Sequence, residues 1–97
     1  MLRDFIIQVL KNHLRELQHR FHVASLSIFG SIARGDERPE SDLDVLVSFE
    51  GPSTFDGYMD LKFFLEDLVN RKVDLVTEKA VPPRLKAVIE KDLIHVS

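Results

Sequence analysis

The chain has 97 residues, 44% of them hydrophobic and 30% charged, with a formal net charge of -3, which describes one small folded domain with a single core and not a disordered tail. No block of Lys and Arg stands apart from the acids, which argues against gripping a long nucleic acid by its backbone. Cysteine is absent, excluding disulfides and thiolate metal sites, and no apolar run suits a membrane span or, within Met1 to Arg20, a signal peptide, so the expected location is the cytoplasm.

In chain order, Ile6, Val9, Leu10, Leu14, Leu17 and Phe21 recur at three- and four-residue steps, predicting one amphipathic helix over roughly residues 2 to 20. Val23 to Phe29 is short and apolar and stops at Gly30, as a buried strand would. A short helix is expected from Ser31 to about Gly35, followed by an exposed loop over the charged, proline-bearing segment Asp36 to Glu40. Leu43 to Phe49 reads as the next strand, broken by Gly51-Pro52-Ser53. Tyr58, Leu61, Phe64, Leu65 and Leu68 mark a second long helix, closed by Asn70-Arg71-Lys72. Val73 to Val76 is a third strand. Pro82-Pro83 introduces a last helix with Leu85, Val88 and Ile89 on one side, and Leu93 to Val96 suits an edge strand. The resulting α/β order, with no repeat or linker, implies helices packed on a small sheet across residues 1 to 97 as one domain.

The chemistry concentrates between Gly30 and Val47. Gly30 and Ser31 stand where a strand turns into a helix, and backbone N–H groups at such a turn suit a phosphate. Asp42 and Asp44 are two residues apart at the start of a strand, so both carboxylates face one side and can grip one hard cation. Asp74 is the lone charge in an apolar strand, where an unpaired carboxylate is costly, and is therefore expected to face the same site. Three such carboxylates suit one or two Mg²⁺ ions carrying a nucleoside triphosphate. Asp42 and Asp44 would bridge the ions, Asp74 would orient or deprotonate an attacking hydroxyl, and Ser31 would meet the departing pyrophosphate.

Gly30-Ser31 with Ala33-Arg34-Gly35, then Ser41-Asp42-Leu43-Asp44, resembles the signature of the DNA polymerase β-like nucleotidyltransferase superfamily. The likeness covers nearly the whole chain and is strongest to the minimal nucleotidyltransferases, the MNT group, usually encoded beside a HEPN-domain protein. Val73-Asp74-Leu75-Val76 matches the position of that family's third carboxylate. The resemblance implies the nucleotidyltransferase fold, an α/β (α+β) arrangement in which a small mixed sheet is flanked by helices. It implies Mg²⁺-dependent transfer of NMP, most often AMP from ATP, to a hydroxyl. Catalysis and metal binding would fall to Asp42, Asp44 and Asp74, and nucleotide or phosphate contact to Gly30, Ser31, Arg34 and Ser41. In HEPN/MNT pairs the HEPN protein is a ribonuclease toxin, and the MNT protein is the antitoxin that adenylylates one of its tyrosines. A chain of this length holds a catalytic unit without an acceptor-binding domain, so the acceptor is expected on the partner.

Plainer readings stand beside these. Arg34 either reaches phosphate or anchors the short helix toward Asp36 and Glu37, and Ser31 serves equally as a helix N-cap. His13, His19, His22 and His95 lack metal-ligand spacing. Phe55, Tyr58, Phe63 and Phe64 read as core or a partner-facing patch, and Arg84 and Lys86 as solvated charge or as groups that steer a nucleotide. The competing function is a non-catalytic antitoxin that neutralises its partner by occlusion.

Overall fold

The computed structural model describes residues 1–97. It begins with two helices, α1 (Leu2–Asn12) and α2 (Leu14–Phe21), where the periodicity predicts one. Neither glycine nor proline explains the break. At His13 the backbone leaves helical geometry (φ -113°, ψ 12°), and the imidazole Nδ1 lies 2.8 Å from the carbonyl oxygen of Val9. The His13 amide bonds instead to the Leu10 carbonyl at 3.1 Å. A side chain has thus taken the partner that helix continuation required. The apolar stripe survives the bend: Ile6, Leu10 and Leu17 are buried, with Leu14 and Phe21 packed alongside.

Strand β1 (Val23–Phe29) leads into α3 (Gly30–Arg34), and β2 (Leu43–Phe49) follows the charged loop. Helix α4 (Phe55–Val69) starts at Thr54, whose Oγ1 accepts from the Gly57 amide at 3.0 Å, and ends at Asn70 in the left-handed region. Strand β3 (Val73–Thr77) continues into a 3-10 turn at Glu78–Ala80, then α5 (Pro83–Asp92) and β4 (Ile94–His95).

The sheet order is β3-β2-β1-β4. β1 runs antiparallel to both β2 and β4, while β2 and β3 are parallel, so the sheet is mixed, as expected. Parallel pairing is open to β2 and β3 because α4 carries the chain back between them. One sheet face presents Leu26, Ile28, Leu43, Val45, Val47, Val73 and Leu75, all buried with Leu61 and Leu65 of α4 and the stripe of α1 and α2. Each large apolar side chain removed from water there contributes about 1.5–3 kcal/mol. The alternate residues face the other way: Ser25, Ser27, Asp44, Leu46, Asp74 and Val76. That face is the more polar of the two and carries the candidate carboxylates Asp44 and Asp74.

The last helix and the aromatic residues also take definite places. The last helix forms, but it buries no residue, and Leu85 and Val88 are exposed. It does not join the helix layer that makes the core; it packs against β1 and α3 on the other side. Among the aromatic residues, Tyr58 and Phe64 pack on the core while Phe55 and Phe63 are exposed.

Candidate active site

The turn at Gly30 is shaped by what lies above it. Gly30 opens α3 with φ +78°, and an added Cβ there would overlap the Asp44 carboxylate, falling 2.9 Å from its Cγ. Glycine therefore does two things at this position: it adopts a left-handed conformation and leaves room for a carboxylate. Phe29 is the N-cap, so Ser31 lies within the helix and is not its cap. No side chain caps α3, and the first N–H groups of a helix have no partner within it. Gly35, also at positive φ (+82°), closes the helix with its amide on the Ser31 and Ile32 carbonyls.

Register places the carboxylates. Phe29 pairs with Asp44 across β1 and β2, and Asp44 pairs with Asp74 across β2 and β3. Neighbouring strands lie about 4.8 Å apart, so paired residues on one face bring their side chains together. Asp44 and Asp74 are close enough to share a hydrogen bond, which requires a proton on one of them. Burial, then the charge of Asp74 and that shared hydrogen bond, then the charge of Asp42, push the Asp44 carboxyl up to about 6 from its ordinary 3.8. Asp74 itself is exposed. It therefore avoids the desolvation cost expected of a charge within an apolar strand, because β3 is an edge strand and this sheet face is open. Asp42 is also exposed and precedes β2, acting on Asp44 through its charge.

No three Asp, Glu or His side chains converge into a ready-made metal cage. The donor set nonetheless fits a cation that completes its shell from elsewhere: two carboxylates paired in register and a third nearby negative charge repel one another without one. Mg²⁺ is held in this way, by one or two carboxylates together with water and phosphate oxygens.

The remaining expected residues are structural in their present contacts. Arg34 donates from Nη1 to Asp92 at 2.8 Å and from Nε to Asp36 at 3.1 Å. These hydrogen bonds, that to Asp92 foremost, raise its already high pKa. Arg34 thus anchors α3, to the adjoining loop as one reading predicts, and also to the end of α5. Ser41 Oγ accepts from the Arg38 amide at 2.9 Å, closing the turn that carries Asp42.

Two supporting residues escape sequence reasoning. Arg71 Nη1 donates to the Ser41 carbonyl at 2.7 Å, clamping the residue before Asp42 from the turn between α4 and β3. The Tyr58 hydroxyl donates to the carbonyl of Leu75, the residue after Asp74. Burial, and secondarily the Asp74 charge, push the Tyr58 phenol up, keeping it a donor. Neither contact leaves a local signal, since each joins residues far apart in the chain.

The model of the nucleotidyltransferase domain matches residues 10–96. The chain belongs to this family. Protein adenylyltransferase MntA of Thermococcus cleftensis is 32% identical over 91 residues, covering 94% of this nucleotidyltransferase chain and 92% of that protein. A solved structure provisionally described as a minimal nucleotidyltransferase is 36% identical, with a TM-score of 0.76 over 90% of this chain and 89% of that one. The fold is also that of an MNT antitoxin solved with a tri-AMPylated HEPN toxin of Shewanella oneidensis, at 17% identity and a TM-score of 0.67, covering 94% and 71% of the two chains.

Proposed function

We propose that this nucleotidyltransferase transfers AMP from ATP to a hydroxyl, a tyrosine of a HEPN-type ribonuclease toxin, and so serves as that toxin's antitoxin. The observation that carries the proposal is the seating of Asp44 over Gly30 with Asp74 beside it in register. It joins a phosphate-binding turn to a carboxylate pair at one spot. The names of the relatives, a protein adenylyltransferase and an antitoxin bound to an AMPylated toxin, support the choice of nucleotide and partner.

Asp42, Asp44 and Asp74 would hold Mg²⁺, which when bound supplies positive charge against the triphosphate and the developing charge of the transition state. The free N–H groups of α3 and the Ser31 hydroxyl bind the β- and γ-phosphates and orient pyrophosphate as the leaving group. The acceptor approaches from the β3 edge, where Asp74 is exposed. Its oxygen bonds to the α-phosphorus as the bond to pyrophosphate breaks, and Asp74 receives the hydroxyl proton.

The test is incubation of the chain with Mg²⁺, labelled ATP and a HEPN-domain protein that binds it. Label should enter the partner, and Asp42→Ala with Asp44→Ala should abolish transfer while the protein stays folded. Binding of the partner without labelling would overturn the enzymatic reading, and neutralisation that persists in the double variant would assign the antitoxin effect to occlusion.

A further inference from the structure

Asp42 and Asp74 lack the support that Asp44 has. Asp44 lies within β2, with a strand paired on each side, whereas Asp42 is exposed ahead of β2 and Asp74 is exposed on the edge strand β3. Both are held from the turn that joins α4 to β3. Within it Arg71 donates to the Ser41 carbonyl, and the Lys72 carbonyl accepts from the Leu43 amide at 2.9 Å. The two neighbours of Asp42 are therefore bonded to consecutive residues of one turn. The residue that follows them, Val73, directly precedes Asp74.

A single residue spans that turn. In the last turn of α4 the backbone carbonyl of Glu66 accepts from the Asn70 amide at 2.9 Å, and its side-chain Oε2 accepts from the Val73 amide, also at 2.9 Å. Val73 is only 2% exposed, so its amide depends on an acceptor within the protein. On an edge strand no neighbouring strand supplies one, and a carboxylate is a strong substitute. We infer that Glu66 is a positioning residue for Asp42 and Asp74, an inference that rests on the nucleotidyl-transfer reading above. It acts through the backbone and not on the reacting groups. By fixing both ends of Asn70 to Lys72, it fixes where Arg71 and Lys72 meet the flanks of Asp42, and where β3 begins. The two exposed carboxylates are thereby set on either side of Asp44 before a cation arrives, so binding does not first have to order a loop and a strand edge.

The experiment compares the full chain with Glu66→Met, which keeps the length of the side chain and removes its carboxylate, and with Glu66→Gln, which keeps an acceptor oxygen. Amide hydrogen exchange is followed in metal-free protein, and the Mg²⁺ concentration for half-maximal transfer is measured on the same preparations. In Glu66→Met, exchange at Leu43 and Val73 should quicken by about tenfold or more while Val45 and Ile28, in the central strands, keep their parental rates. The Mg²⁺ requirement should rise by about tenfold, the usual effect of losing a group that orients metal ligands. Glu66→Gln should bring both readouts back to within about twofold of the parent. A parental Mg²⁺ requirement in Glu66→Met would overturn the inference. So would equal impairment of both variants, which would assign the effect to charge and not to the bond with Val73. Faster exchange throughout the sheet, Val45 and Ile28 included, would also overturn it, since Glu66 would then serve global stability alone. A parent that transfers nothing at any Mg²⁺ concentration would instead remove the nucleotidyl-transfer reading itself.

Discussion

The carboxylate of Asp44 lies directly over Gly30, so closely that a methyl group on the glycine would occupy its place. A backbone position and a catalytic candidate 14 residues away are thus one steric unit.

Gly30→Ala should consequently damage the site more than the fold. The left-handed backbone at φ +78° costs an alanine about 1–2 kcal/mol, which lowers the melting temperature by about 5–10 °C in a domain of this size. Transfer activity should fall at least about 100-fold, because a displacement of about 1 Å at the reacting centre has that effect. Thermal melts and a labelled-ATP assay on one preparation separate the two losses.

In metal-free protein, Asp44 should make stability depend on pH. Its folded pKa, about 6, is above the ordinary 3.8, so between those values the folded state holds more protons than the unfolded chain. Stability is then greatest below about pH 4 with respect to this group and falls as pH rises through 6. The cost at neutral pH is about 1 kcal/mol after allowance for solvent screening. Asp44→Asn should abolish this slope and raise the melting temperature by about 4 °C at pH 7.5 in chelator. Melts across pH 4 to 8 check the sign; a variant less stable than the parent at pH 7.5 would contradict it.

The same carboxyl should make Mg²⁺ compete with a proton. Added Mg²⁺ should raise the melting temperature of the parent at pH 7.5 and lose this effect below about pH 6, where Asp44 is protonated. Asp44→Asn should not respond at either pH. Calorimetric titration at both pH values gives an independent reading.

Tyr58→Phe removes one hydroxyl, the donor to the Leu75 carbonyl on the edge strand. The expected loss of stability is about 1 kcal/mol. Because Asp74 adjoins Leu75, kcat should fall more than nucleotide affinity does. Steady-state kinetics distinguish this result from a purely global loss of stability, which would leave kcat per folded molecule unchanged.

Arg71→Met should release the Ser41 carbonyl and loosen the turn that carries Asp42. The Mg²⁺ requirement should rise several-fold, with the fold retained. A metal dependence identical to that of the parent would show that Asp42 does not depend on this clamp.

The strands, the long helix α4 and the run from Gly30 to Asp44 were legible in the sequence, because each depends on local periodicity, turn chemistry or short spacing. The interruption at His13 was not, since nothing in the apolar stripe reports an imidazole reaching back to the Val9 carbonyl. Nor was the exposure of Leu85 and Val88, because an amphipathic pattern states that a helix has an apolar side without stating what covers it. For Asp74, register places the residue beside Asp44 at an open sheet edge, so the costly buried charge from which its position was expected is not what the fold contains.

By itself, then, the sequence determined the strands, the long helix α4, the glycine turn at the start of α3 and the candidate carboxylates, all of which follow from residues near one another in the chain. Only the tertiary structure decided that Asp44 meets Asp74, 30 residues on, that it covers Gly30, and that α5 roofs the polar face. Those contacts depend on strand order and register, which arise when separate segments bury their apolar faces together in one core.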